Sequence, residues 1–245
     1  MKDFILGKTL KQGHKGKKVK LVQECLCIHG FHLVIDGDFG PASDYAVRQF
    51  QRKKKIGVDG IVGEETFKLL VEPMTRVLAP IEAGGKTPGQ MLVAYARQHL
   101  KQHPVEIGGQ NKGPWVRLYM NGNEGAAWPW CAGFVSFLME QAYQGLGKAL
   151  PLQTTFSCDI LAAQAKEKGM FLDERDIETK DKVKPGSIFL NRRTRTDWVH
   201  TGVVVRAEDE IFHTIEGNTN DEGSREGYEV CQRIRGYKKK DFIAI

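Results

Sequence analysis

The chain has 245 residues, with 41% apolar and 27% charged side chains and a formal net charge of +6. That length favours two domains, and the balance excludes a disordered or fibrous chain. The positive charge attracts anionic partners, but the basic runs at Lys15, Lys17, Lys18 and Lys20, at Arg52–Lys55 and at Lys238–Lys240 carry no interleaved aromatics, so no nucleic acid partner is expected.

Val19, Val22, Cys25, Leu26 and His29 fall at helical spacing. A repeat follows: Asp36-Gly37-Asp38-Phe39-Gly40 returns as Asp59-Gly60-Ile61-Val62-Gly63. Each Asp-Gly pair suits a tight turn with positive φ, and the later glycine opens a helix. The helical patterns run through Tyr45, Val47 and Phe50, then Thr66, Phe67, Leu69 and Leu70. Residues 1–72 are thus expected to form an all-α three-helix bundle. Pro73, Pro80, Gly84, Gly85 and Pro88 then break the pattern, and residues 73–87 are expected to be a linker.

Residues 88–245 are expected to form a second, α+β domain. Thr87, Pro88 and Gln90 make a capping-box signature for a helix that carries Leu92, Val93, Ala96 and Leu100 inward and ends near Pro104. A Gly- and Asn-rich loop spans Gly108–Gly113. Beyond Trp128-Pro129-Trp130, the residues Cys131, Phe134, Val135, Leu138, Met139 and Ala142 define an amphipathic helix with the cysteine in its first turn. Another helix is expected over Ser157–Glu167. After Lys184-Pro185-Gly186 come strands at Ser187–Leu190, Val199–Arg206 and Glu210–Ile215. Helices first and strands afterwards indicate α+β.

The cysteines Cys25, Cys27, Cys131, Cys158 and Cys231 follow no disulfide framework and include no Cys-x-x-Cys pair. This fits a reduced chain made in a cytoplasm and argues against a thiolate zinc site. Phe4-Ile5-Leu6 is too short for a signal peptide, whose apolar region needs about 7–15 residues. No stretch approaches the ~20 apolar residues of a membrane span. Action outside the cytoplasm would need phage-type lysis, effector delivery or non-classical export.

Cys131 carries the most chemistry. A helix N-terminus offers positive potential and unpaired N–H groups, which stabilise a thiolate and a developing oxyanion. Alone, Cys131 reads equally as a buried structural cysteine. A nucleophile needs a base and an orienting group. His200 lies in the apparent strand Val199-His200-Thr201-Gly202-Val203, where a core role is the simpler reading. Glu216 and Asn218 follow at a strand end, and either could fix the imidazole tautomer. His99 and His103 stand four apart, but Leu100 occupies the place where a zincin has glutamate, so they are expected on a solvated helix face. Asn121, Asn123 and Glu124 make no dense calcium loop. No metal and no cofactor are expected.

The segments Pro129-Trp130-Cys131-Ala132-Gly133-Phe134-Val135, His200-Thr201-Gly202-Val203 and Glu216-Gly217-Asn218-Thr219 resemble the CHAP family, the cysteine- and histidine-dependent amidohydrolase/peptidases. So does the loop Glu106–Val116. The likeness runs from about Pro88 onward. It implies a papain-like domain with an antiparallel sheet. Cys131 would be the nucleophile, His200 its base, Glu216 the orienting group, and Asn218 an aid to orientation or to the oxyanion site. Trp130 would wall the substrate cleft or, equally, pack in the core. The repeat with Ala46-Val47 and Phe50-Gln51 resembles the three-helix peptidoglycan-binding domain across residues 8–72, with Ser43 where that family usually has threonine. The combination implies an endolysin-like hydrolase that cuts an amide of peptidoglycan, either the muramoyl–alanine bond or a stem or cross-bridge peptide bond. The competing readings are a non-catalytic wall-binding protein and an amidase acting on a small peptide conjugate.

Overall fold

The computed structural model describes residues 4–176, 179–220 and 227–245. Three helices form the N-terminal unit: α1 (Lys17–Ile28), α2 (Pro41–Lys54) and α3 (Glu64–Leu70). Their apolar faces close on a core of Val19, Val22, Leu26, Phe39, Val47, Phe50, Phe67 and Leu70. Gly40 and Gly63 cap α2 and α3, as the repeat predicts.

What makes the two repeats equivalent is a pair of buried glutamines. Gln23 of α1 donates to Asp36 Oδ1 (2.8 Å), the Asp38 carbonyl (3.0 Å) and Ser43 Oγ (3.1 Å), and accepts the Gly37 N–H (2.8 Å). Gln51 of α2 donates to Asp59 Oδ1 (2.8 Å), the Ile61 carbonyl (3.0 Å) and Thr66 Oγ1 (3.2 Å), and accepts the Gly60 N–H (3.0 Å). Each helix thereby fixes the loop that launches the next. Ser43 and Thr66 hold the same station, so the serine keeps the hydroxyl that the loop requires. Gly37 and Gly60 take φ of 75° and 71°. A Cβ at Gly60 would stand 2.2 Å from Asp44 Oδ1, so both conformation and space demand glycine there.

The helical part is larger than three helices: eight precede the first strand. Within the stretch expected as a linker, Glu72–Val77 forms α4, and Met74 and Val77 enter the second core. The helix α5 (Pro88–Leu100) begins with the expected capping box and ends short of Pro104. Then follow α6 (Pro114–Tyr119), α7 (Cys131–Gly145) and α8 (Cys158–Glu167). The strands are β1 (Phe171–Leu172), β2 (Ile188–Thr194), β3 (Asp197–Ala207), β4 (Ile211–Thr219), β5 (Glu229–Gly236) and β6 (Lys240–Ile243). They make one antiparallel sheet in the order β1-β6-β2-β3-β4-β5. Helices α5, α7 and α8 pack on β3, and α7 also reaches β4.

One expectation is corrected here. His99 does not lie on a solvated face: it is fully buried, with Nδ1 2.9 Å from the Tyr119 hydroxyl and Nε2 2.9 Å from Gln141 Oε1. Burial, only partly opposed by the Gln141 bond, lowers its pKa to about 4. His103 has left the helix, at φ 47°, and its exposed ring meets Glu229 Oε2 at 2.6 Å. The halves of the chain join through Arg117 of α6, which bonds Glu24 of α1 (2.6 Å) and Glu124 (2.6 Å). Glu124 also accepts the Gly113 N–H at 2.9 Å.

Gln51→Leu removes every polar contact of that side chain and strands the buried Gly60 N–H. A loss of about 2–3 kcal/mol is expected, read from urea unfolding, and Gln23→Leu should match it because the two stations are equivalent.

Candidate functional site

The site forms where the start of α7 meets the middle of the sheet. Cys131 is the first residue of α7, and its preceding residue Trp130 is fully buried. The indole stacks on Tyr119 at 5.5 Å and donates its Nε1–H to Glu106 Oε1 at 2.9 Å. Trp130 therefore does not wall a cleft. It anchors the start of α7, and it ties that helix to the loop beginning at Glu106.

The sheet allows this approach through Gly217. A Cβ there would fall 2.7 Å from the Trp130 ring and 2.8 Å from Phe134. The next residue, Asn218, has φ 56°, and the β4–β5 register slips between Glu216 and Thr219. This bulge re-aims a side chain, as bulges beside functional sites do. Asn218 Oδ1 accepts the backbone N–H of Trp130 at 3.3 Å. That contact ties the bulge to the start of α7.

His200 of β3 and Glu216 of β4 are both buried, with Nε2 and Oε2 2.8 Å apart. Cys131 lies close enough to His200 to raise the pKa of the imidazole. Three residues not singled out from the sequence complete the group. Arg235 of β5 grips Glu216 with Nε at 2.5 Å and Nη2 at 2.6 Å, and Thr214 Oγ1 donates to it at 2.5 Å. Cys158, the first residue of α8, places its Sγ 4.0 Å from that of Cys131. No local pattern announces Arg235. It lies on a strand whose side chains otherwise alternate toward solvent. Cys158 did carry a signal, a cysteine directly after the N-cap Ser157, but only the fold reveals its neighbour.

These contacts set the charges. Cys131 is held well below the ordinary thiol range by the hydrogen bond from Cys158; burial opposes this, and His200 adds to it. Cys158 is pushed well above that range by the same bond and by burial. Burial would lower His200, but its bonds to Cys131 and Glu216 raise it to about 9. Burial would raise Glu216, yet Arg235 and His200 bring it down to about 2. The arrangement favours a thiolate–imidazolium pair backed by an ionised carboxylate. It can deliver a nucleophile and a proton to the same bond.

Among the described residues, no group of three or more His, Cys, Asp and Glu side chains could hold a metal ion, and no helix is long and apolar enough to cross a membrane.

Comparison with known proteins bears on the first part of the chain. Residues 15–70 match the peptidoglycan binding domain family. The chain carries a peptidoglycan-binding domain. It is similar to the zinc D-Ala-D-Ala carboxypeptidase of Streptomyces albus G, 37% identical over 67 residues, which are 26% of this chain and 26% of that protein. It is similar to the N-acetylmuramoyl-L-alanine amidase CwlL of Bacillus licheniformis, 37% identical over 84 residues, 33% of this chain and 23% of that protein. The chain thus spans about a quarter of the length of these relatives. Among solved structures, the Burkholderia AP3 phage endolysin shares 25% identity with a TM-score of 0.25, over 42% of this chain and 40% of that one.

The pKa directions give two tests. His200, raised from 6.5, contributes stability that is full below 6.5 and lost as pH rises through about 9. Glu216, lowered from 4.5, contributes stability that is full above 4.5 and lost as pH falls toward about 2. The two act together between those ordinary values, so thermal unfolding should peak there. By NMR, the His200 ring should titrate near 9, lower in Glu216→Gln and higher in Arg235→Met, because these variants remove opposite charges.

Proposed function

We propose that the chain is a peptidoglycan hydrolase that cuts an amide bond by cysteine nucleophilic catalysis. In this reading residues 1–72 hold the wall, 73–87 connect, and 88–245 form a papain-like domain of the CHAP kind. The observation that carries it is the contact chain Cys131–His200–Glu216, assembled at a helix start on a chain that also bears a peptidoglycan-binding domain. The names of the relatives, an amidase and a carboxypeptidase, agree with a wall substrate. The zinc in one name belongs to a protein that this chain matches over a quarter of its length.

The steps follow from the charges. The Cys131 thiolate attacks the amide carbon, and backbone N–H groups at the start of α7 face the developing oxyanion. His200 gives its proton to the leaving amine, which departs as the thioester forms. The neutral imidazole then takes a proton from water, which hydrolyses the thioester and frees Cys131. Glu216, fixed by Arg235 and Thr214, keeps the imidazole oriented and favours its charged form. Asn218 and Trp130 hold the nucleophile's helix in register with the sheet. The site of action is the cell wall.

Purified sacculi digested by the wild type should release soluble fragments, identified by mass spectrometry. Free muramic ends with intact peptides indicate an amidase; new peptide termini indicate an endopeptidase. Cys131→Ala should lose at least about 10³-fold in rate while still sedimenting with sacculi. Undiminished digestion by that variant would remove Cys131 from the chemistry. Binding without digestion by the wild type would leave a wall-binding protein.

A further inference from the structure

Two helix starts bring two sulfurs together. Cys131 opens α7, Cys158 opens α8, and their Sγ atoms stand 4.0 Å apart. A disulfide needs about 2.05 Å, so the two sulfurs must draw closer for the bond to form. Both residues keep a small accessible fraction, 6% for Cys131 and 7% for Cys158.

The thiols of the N-terminal unit are placed differently. Cys25 is fully buried, and burial first, then Glu24, pushes its pKa up to about 12. Cys27 directs its Sγ to the Leu33 carbonyl at 3.7 Å. Neither sits at a helix start facing a second sulfur. The facing sulfurs of Cys131 and Cys158 thus set this pair apart from Cys25 and Cys27.

We propose that Cys131 and Cys158 are a reversible modification site, at which a hydroperoxide oxidises Cys131 and Cys158 resolves the product as an intramolecular disulfide. The thiolate sulfur of Cys131 attacks one peroxide oxygen. The O–O bond breaks, the other oxygen leaves as an alcohol or water after taking a proton, and Cys131 becomes a sulfenic acid. The Cys158 sulfur then attacks the Cys131 sulfur. The S–S bond forms, the S–O bond breaks, and the hydroxyl leaves as water with the proton from Cys158. In sum, two thiols and one hydroperoxide give one disulfide, one alcohol or water, and one further water. A dithiol reductant reverses the bond by exchange. Lacking a resolving partner, a sulfenic acid proceeds to sulfinic acid, which ordinary reductants do not restore. Cys158 thus turns a terminal injury of the nucleophile into a stored form. The consequence for activity rests on the reading of Cys131 as the nucleophile; the bond itself does not.

The test uses the full chain, hydrogen peroxide as oxidant and peptide mass spectrometry as readout. Treated wild type should yield a linked pair of peptides spanning Cys131 and Cys158, lighter by two hydrogens than the reduced pair, and dithiothreitol should return both thiols. In Cys158→Ala, and in Cys158→Ser as a check on folding, Cys131 should gain two oxygens and leave at least about tenfold less recoverable thiol. If the treated wild type shows no Cys131–Cys158 pair, whether Cys131 stays reduced or reaches sulfinic acid, the proposal is overturned; a dominant pairing with Cys231 overturns it equally. That measurement needs no variant. Sacculus digestion on the same samples separates the two readings. A disulfide in a protein that digests nothing leaves the thiol pair standing without the hydrolase, and digestion without a disulfide does the reverse.

Discussion

A carboxylate with no exposed surface, Glu216, keeps its charge inside the sheet because Arg235, Thr214 and His200 all donate to it. Removing water from a lone carboxylate would cost several kcal/mol and neutralise it. Here the arginine fork and the hydroxyl replace that water, and the spare attraction falls on the imidazole. The raised pKa of His200 follows from this, and the lowered pKa of Cys131 follows from Cys158 and His200. The backbone of β4 serves the same end. Glu216 faces β3, Gly217 admits α7, and Asn218 turns left-handed to hold the residue before Cys131.

Much of this was legible in the sequence, and the limits are physical. Periodicity exposed α1, α2, α5, α7 and α8, because each buries one continuous face. The Asp-Gly repeat exposed the loops, because positive φ restricts the residue type. His200 and Glu216 pair at 2.8 Å, and the charge of Cys131 is coupled to His200. Gln23 and Gln51 escaped notice because a glutamine on an apolar face looks like an interruption until its loop partners are seen. Arg235 and Cys158 escaped because their meaning lies in neighbours 19 and 27 residues away. His99 was misjudged for the converse reason. Two histidines a turn apart suggest a shared face, but the helix ends between them, so one is core and the other is surface.

The peptidoglycan-binding domain and the sheet-bearing part do not swing on a loose tether in this structure. Arg117 bridges Glu24 in α1 and Glu124 beside α6, and Phe4 packs against both cores. Glu24 is only 2% exposed at its side chain, so this junction is partly shielded from salt, unlike the surface pair of Lys15 and Asp38.

That docking sets a length. A hinge would let a tethered catalytic centre sweep a sphere around its anchor and cut many bonds per landing. On the proposed reading, a chain moored through residues 15–70 and held at Arg117 would present Cys131 to one place on the wall lattice. Progress across a polymer would then depend on letting go and landing again, so the residence time of the mooring would govern throughput, and a tighter grip would make a slower tool.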